Sequence, residues 1–261
     1  MTDRATTGLA ERADRLRALH VPGDPLVLPN VWDAAGGQAV AAAGFPVVAT
    51  GSAAVAEALG YADHEAAPPA EMFAAAARIA AAVPLPVTVD AEAGYGLPAG
   101  ELVDALLAAG AVGCNLEDTA HAAGGLADVE AQAGWLREVR AAASTAGVPL
   151  VVNARTDVFL QPAGTFDDPV EEAVSRCRAY LAAGADCVYP ILADDPADIG
   201  CLVAGVDGPV NVLARPQAPG LQELAELGVA RISYGPGLYR ASQAHLAAML
   251  AEVAAGGSPF R

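Results

Sequence analysis

The sequence predicts an α/β chain folded as a (β/α)8 barrel. Three observations carry that expectation. Short apolar runs alternate with alanine-rich helical stretches along all 261 residues, the pattern of a parallel sheet with crossover helices. The runs number eight, as a closed barrel needs. Polar residues gather at the C-terminal ends of those runs, where a barrel keeps its site.

An extra helix is predicted first, near 7–19. The strands are "LVLPN" (26–30), "PVVAT" (46–50), "PVTVDA" (86–91), "GCNLED" (113–118), "PLVVNART" (149–156), "DCVYPI" (186–191), "PVNVLA" (209–214) and "RISYG" (231–235). Helices are expected near 33–43, 68–83, 99–109, 127–145, 167–182, 195–203, 219–227 and 236–255. Gly44, Gly110, Gly147 and Gly184 stand where helices exit, because glycine tolerates the left-handed conformation there. No low-complexity linker divides the chain, so one domain over 1–261 is expected. An open doubly wound sheet is the runner-up, and it lacks a GxGxxG after the first strand.

Composition narrows the function. With 54% hydrophobic residues the chain can bury a large core. No run of about 18 apolar residues occurs, so no membrane span is expected. The start, "MTDRATTGLAERADRLRALH", lacks the apolar centre of a signal peptide, which points to the cytoplasm. A net charge of −17 argues against nucleic acid as a partner. Cys114, Cys177, Cys187 and Cys201 show no CxxC spacing and are expected to be reduced and buried. All 14 basic residues are arginine. Without lysine there is no Schiff-base aldolase, no pyridoxal enzyme and no P-loop. Electrophilic work falls to a metal or to fixed arginines.

The strand ends supply the candidates. They carry Asn30, with Trp32 and Asp33 beyond; Thr50-Gly51-Ser52; Asp90 and Glu92; Asn115, Glu117 and Asp118; Asn153, Arg155 and Asp157; Tyr189; Asn211 and Arg215; Ser233 and Tyr234. Alternation along a strand puts Asp90 and Glu92 on one side. Asp90, Glu92 and Glu117 on adjacent strands repel unless a cation lies between them. Oxygen donors without histidine favour Mg²⁺, with Mn²⁺ as the substitute. The alternative is that Asp90 and Glu92 cap the helix near 99–109 or pair with Arg155.

Arg155 is expected to be the single arginine of a buried strand, its fork matched to a carboxylate. The alternative is a salt bridge to Asp157 or Glu117. Thr50-Gly51-Ser52-Ala53 offers amides and hydroxyls as an anion nest, or is a plain tight turn. His121 is the candidate mobile acid or base, or else a solvated loop histidine. His64 lies near enough in sequence to Asp63 to approach the mouth. Tyr95 lines the mouth or packs. His20 and His245 fall in helices and are given no role. Such a pocket suits a small acid with keto or hydroxyl oxygens.

The motifs "LPNVWDA" (28–34), "TGSAAVAEALGYAD" (50–63), "VDAEAGYG" (89–96), "GCNLEDT" (113–119) and "VVNARTDVFL" (151–160) resemble the isocitrate lyase/phosphoenolpyruvate mutase superfamily over nearly the whole chain. The resemblance implies a barrel with a swapped last helix, and dimers or tetramers. It implies Mg²⁺ and 2-oxo or 2-hydroxy acids, or phosphonopyruvate. By motif, Asp90 would ligate the metal directly, Glu92 and Glu117 would hold its waters, and Asp63 would lie nearby. Arg155 and the amides of Gly51, Ser52 and Ala53 would hold the substrate carboxylate. Thr50, Trp32 and Asn211 join the substrate contacts; Arg155, Glu117 and His121 form the catalytic set.

Departures shape the expected activity. Glu92 stands where the family often has Asp. The segment "EDTAHAAGGLADVEAQ" (117–132) lacks the lysine and cysteine of the isocitrate lyase loop and the lysine of the mutase loop. Ile191 replaces an acid common in methylisocitrate lyases. The expectation is a Mg²⁺-dependent carbon–carbon lyase or hydrolase acting on a small dicarboxylic acid, distinct from true isocitrate lyase. The alternatives are phosphonopyruvate hydrolysis or carboxyphosphonoenolpyruvate or phosphoenolpyruvate mutase chemistry, and a non-catalytic oxo-acid binder.

Overall fold

The computed structural model describes residues 4–260. Helix α1 (Arg4–Ala18) comes first and buries Ala13 and Leu16 completely. Leu16 plugs one end of the barrel. A Cβ on Gly113 would sit 2.7 Å from its Cδ2 atom, so glycine is required at that strand start.

The strands are β1 (Leu26–Leu28), β2 (Asn30–Val31), β3 (Val48–Thr50), β4 (Val87–Asp90), β5 (Gly113–Glu117), β6 (Val151–Thr156), β7 (Cys187–Pro190), β8 (Asn211–Leu213) and β9 (Arg231–Ser233). All pair in parallel. The first predicted strand is split in two, because Pro29 has no N–H to give the ladder. The ladder runs β2-β3-β4-β5-β6-β7 in one piece and β1-β9-β8 in another. Adjacency of β1 and β2 joins the pieces at one seam. At the other, Val188 N–H donates to Pro209 O at 3.0 Å. Eight staves therefore close, and the runner-up open sheet is set aside.

The outer layer is α2 (Ala34–Ala42), α3 (Ser52–Leu59), α4 (Pro69–Ala81), α5 (Ala99–Ala108), α6 (Val129–Thr145), α7 (Pro169–Ala182), α8 (Pro196–Gly205), α9 (Leu221–Glu226) and α10 (Gly237–Ala254). Their starts are chemically marked. The Asp33, Asp128, Asp168 and Asp195 carboxylates accept the first free amides of α2, α6, α7 and α8. Leu102, Leu106, Leu136, Ile199 and Leu202 pack against Leu116, Val152 and Val188 of the strands, all 0–1% exposed.

Helix α3 was not expected from the sequence. Its "SAAVAEAL" has no polar face to set a period, and Ser52 through Ala56 are all buried. Cys114, Cys177 and Cys187 are buried free thiols as expected, but Cys201 is exposed on α8. Helix α10 buries only Tyr239 and leaves Leu246, Leu250 and Val253 at 43%, 58% and 51% exposure. Among the described residues no helix is long and apolar enough to cross a membrane.

Candidate active site

Asp90 ends β4. Its Oδ2 atom accepts the Ser52 N–H at 3.1 Å, and its own amide donates to Thr50 Oγ1 at 3.0 Å. The Thr50-Gly51-Ser52-Ala53 stretch, expected as a nest or a turn, is therefore the N-terminus of α3. The positive end of that helix faces a carboxylate already.

Glu92 lies past the strand, so strand alternation does not aim it. A left-handed turn does, with Glu92, Gly94, Tyr95 and Gly96 at φ 48°, 90°, 56° and 65°. Gly94 is obligatory: a Cβ there would lie 2.7 Å from the Trp135 ring. The turn buries Glu92 to 2% exposure. Glu65 N–H donates to Glu92 Oε2 at 2.5 Å, and Tyr95 N–H donates to Glu65 Oε1 at 2.6 Å, so two strained loops clamp each other. Burial, followed by the charges of Asp90, Asp63 and Glu117, pushes the Glu92 pKa up to about 7.

Glu117 closes β5. Its Oε2 meets Arg155 Nη1 at 2.6 Å and its Oε1 meets His121 Nε2 at 2.9 Å. Burial raises its pKa against the pull of both partners. Its hydrogen bond raises that of His121. Arg155 also binds Asp157 twice, Nε–Oδ1 at 2.5 Å and Nη2–Oδ2 at 3.0 Å. Burial opposes the Arg155 charge, but Glu117 and Asp157 outweigh it and hold the guanidinium above its ordinary range. The alternative salt-bridge reading of Arg155 is thus realised with both acids at once.

Of these groups Asp90 and Arg155 line a cavity of about 300 Å³ at the C-terminal rim; Thr50, Glu92, Glu117 and His121 lie behind that lining rather than in it. Gly51, Ser52, Ala53, Asp63, Asp90, Asn115 and Arg155 form one wall, and His64 joins at the mouth. The His64 and His121 rings stand 5.8 Å apart. Asp63 Oδ1 is buried without a hydrogen-bond partner. Among the described residues, no three acids or histidines converge closely enough to hold a cation directly. An ion such as Mg²⁺, which sheds water reluctantly, would need one carboxylate directly and could reach the others through its waters. The orphaned Asp63 oxygen and the mutual repulsion raising Glu92 fit such an ion.

Trp32 is not at this cavity. It packs edge-on against Tyr239, ring centroids 5.1 Å apart, in a separate outer groove. Asn211 is also not in the lining; it is fully buried below, 3.4 Å from Ser233 Oγ. Sequence reasoning missed two arginines. Arg231 on β9 is 1% exposed, so Arg155 is not the single arginine of a buried strand. Its Nη2 and Asn153 Nδ2 both donate to Asn115 Oδ1, at 3.0 and 2.9 Å. Its Nη1 lies 3.5 Å from His20 Nε2. His20 is buried rather than idle; burial, then Arg231, lowers its pKa to about 4. Arg240, one turn into α10, lines the cavity rim. The visible signal for Arg231 was an arginine opening a strand that has no acid of its own.

Comparison with known proteins bears on the family of the chain. The model of the phosphoenolpyruvate phosphomutase family matches residues 16–254. A crystal structure from Burkholderia cenocepacia J2315, provisionally described as a phosphonomutase, is 44% identical with a TM-score of 0.87, covering 92% of this chain and 99% of that one. An uncharacterized protein of Mycobacterium tuberculosis is 35% identical over 237 residues, 87% of this chain and 85% of its own. Oxaloacetate decarboxylase of Pseudomonas syringae pv. tomato is 30% identical over 235 residues, 87% of this chain and 79% of its own.

Proposed function

The chain belongs to the phosphoenolpyruvate phosphomutase family, within the isocitrate lyase/phosphoenolpyruvate mutase superfamily, and from that premise we propose a Mg²⁺-dependent enzyme that breaks a carbon–carbon bond in a small 2-oxo or 2-hydroxy dicarboxylic acid. One observation carries the reading: Asp63, Asp90 and a fixed Arg155 line one cavity, with the buried Glu92 close enough to feel Asp90, Asp63 and Glu117 and Glu117 paired to Arg155 behind it.

Asp90 would ligate the ion, with Glu92 and Glu117 holding its waters and Asp63 at the edge; Mn²⁺ suits the same oxygens. When bound, the metal supplies Lewis-acid stabilisation of the charge that builds on the substrate oxygen as the bond breaks. Arg155, held between Glu117 and Asp157, presents a positive edge to the substrate carboxylate without having to reorganise. Gly51, Ser52 and Ala53 line the same cavity; the Ser52 amide is given to Asp90, so the amides of Gly51 and Ala53 would be the ones to meet the substrate. His121 Nε2 lies 2.9 Å from Glu117 Oε1, and His121 would deliver a proton to the carbon freed by the cleavage.

The test is a Mg²⁺-dependent screen of oxaloacetate, 2-oxoglutarate, alkylated malates, methylisocitrate and phosphonopyruvate, with products read by mass. Carbon–carbon cleavage supports the proposal. The likeness to a phosphonomutase favours a second reading, phosphonate chemistry, which turnover of phosphonopyruvate alone would select. Binding without product would mark a non-catalytic oxo-acid binder, the reading that the loop after β5 motivates by lacking lysine and cysteine.

We read residues 1–261 as one cytoplasmic barrel domain that assembles as a dimer or tetramer. The apolar row Leu246, Leu250 and Val253 on α10 supports a second copy packing on that helix, as a helix swap requires. Light scattering that returns a monomer mass would end the assembly reading.

A further inference from the structure

We propose that the substrate carries an alkyl group, seated on an apolar wall that faces the carboxylates across the cavity. The proposal rests on the function given above and narrows it. Leu160, Ile191, Leu192, Leu213 and Pro236 line the cavity. They follow β6, β7, β8 and β9, whereas Asp63 and Asp90 come from β3 and β4, on the opposite side of the ring.

Two of these side chains are kept at a cost. Leu160, at the end of a 3-10 turn (Val158–Leu160), leaves 45% of its surface exposed. Exposed apolar surface is unfavourable until something apolar covers it. Leu192 sits at φ +66°, in the left-handed region that glycine occupies freely and leucine does not. Strain of this kind is held in place at sites that use the side chain.

The polar groups of this side are few: Tyr189 and Ser233, only 3% and 2% exposed, and Arg240 at the rim, while the side chains that face the cavity between them are hydrocarbon. A carboxylate pressed against Ile191 or Leu213 would lose water and gain no donor. The chemistry therefore fits a 2-oxo or 2-hydroxy acid with its oxygens at Asp90 and Arg155. A hydrocarbon branch lies on the leucines, and any second carboxylate turns toward Arg240.

Calorimetry with Mg²⁺ tests this on the whole chain. The ligands are pyruvate, 2-oxobutyrate and 2-oxovalerate, with oxalate, which has no alkyl group, as the reference for the metal site. Each added methylene should tighten binding about fourfold. Leu192→Gly, a change the backbone accepts, should reduce the gain to under about twofold per methylene. If oxalate binds and the wild-type series is flat or weakens, the apolar wall is not a subsite, while the proposed function stands. If neither oxalate nor any 2-oxo acid binds with Mg²⁺, the proposed function falls and this proposal falls with it.

Discussion

Glu117 and Asp118 are neighbours in sequence, both almost fully buried, and opposite in purpose. Asp118 points out of the barrel and is saturated. Thr156 Oγ1, Asp157 N–H, Arg176 Nη1 and Tyr180 OH donate to it at 2.7, 2.9, 3.1 and 2.7 Å. It ties β5, β6 and α7 together. Glu117 points in. It has Arg155 and His121, but it also shares its space with Asp90 and Asp157, and its pKa stays raised. Both acids have each oxygen answered, but Asp118 meets donors alone, whereas Glu117 also lies among other acids, and that excess of negative charge is what the proposed cation site would use.

The comparison breaks most directly at Asp118. Asp118→Ala leaves Thr156 Oγ1, Asp157 N–H and Tyr180 OH without their buried acceptor and takes one of the two acids from Arg176, which keeps Glu172; it should cost about 3–5 kcal/mol, read as a lower urea midpoint. An unchanged midpoint would mean that the outward acid is no more structural than the inward one. Asp90→Ala should do the reverse. It removes one repelling charge, so the midpoint should hold, while Mg²⁺-dependent turnover falls by at least about 100-fold, roughly 2.7 kcal/mol of barrel-rim chemistry. Retained Mg²⁺-dependent ligand binding in that variant would sink the metal assignment.

The barrel floor offers a test between those extremes. His20 has a folded pKa of about 4 against an ordinary 6.5. The unfolded chain takes up the proton first as pH falls. Stability attributable to His20 is thus complete above pH 6.5 and is lost as pH drops through that window, by up to about 3 kcal/mol. Urea midpoints at pH 7 and pH 5 should differ less in His20→Gln than in the wild type; equal differences would show that His20 titrates normally. The smallest effect belongs to His121. His121→Ala should slow turnover about tenfold or somewhat more and leave the urea midpoint near that of the wild type. An unaltered rate retires it as the proton carrier.

The helices were legible where one face meets water, and the barrel staves, buried on both faces, as short apolar runs with polar ends. Helices capped by Asp33, Asp128, Asp168 and Asp195 announced themselves, as did every stave of the barrel. Helix α3 did not, since it is buried on all sides at its start. At the site, Asp90, Glu117 and Arg155 could be read from their strand ends. Glu92 was found by the wrong rule: a left-handed turn, not strand alternation, brings it in. Arg231 and Arg240 were missed because their meaning depends on ring closure. Only when β9 lies beside β1 and β8 does Arg231 reach Asn115, and only then does the start of α10 reach the rim.

The two seams in the barrel ladder also divide its labour. Asp63, Asp90, Glu92, Glu117 and Arg155 all belong to the stretch that carries the six-stranded piece. Leu213, Pro236 and Arg240 come from the stretch that carries β8 and β9. The proposed reactive centre and part of the proposed apolar wall therefore lie on different lengths of chain. Grafting residues 206–261 from a relative would exchange that part of the lining and leave the reactive centre in place.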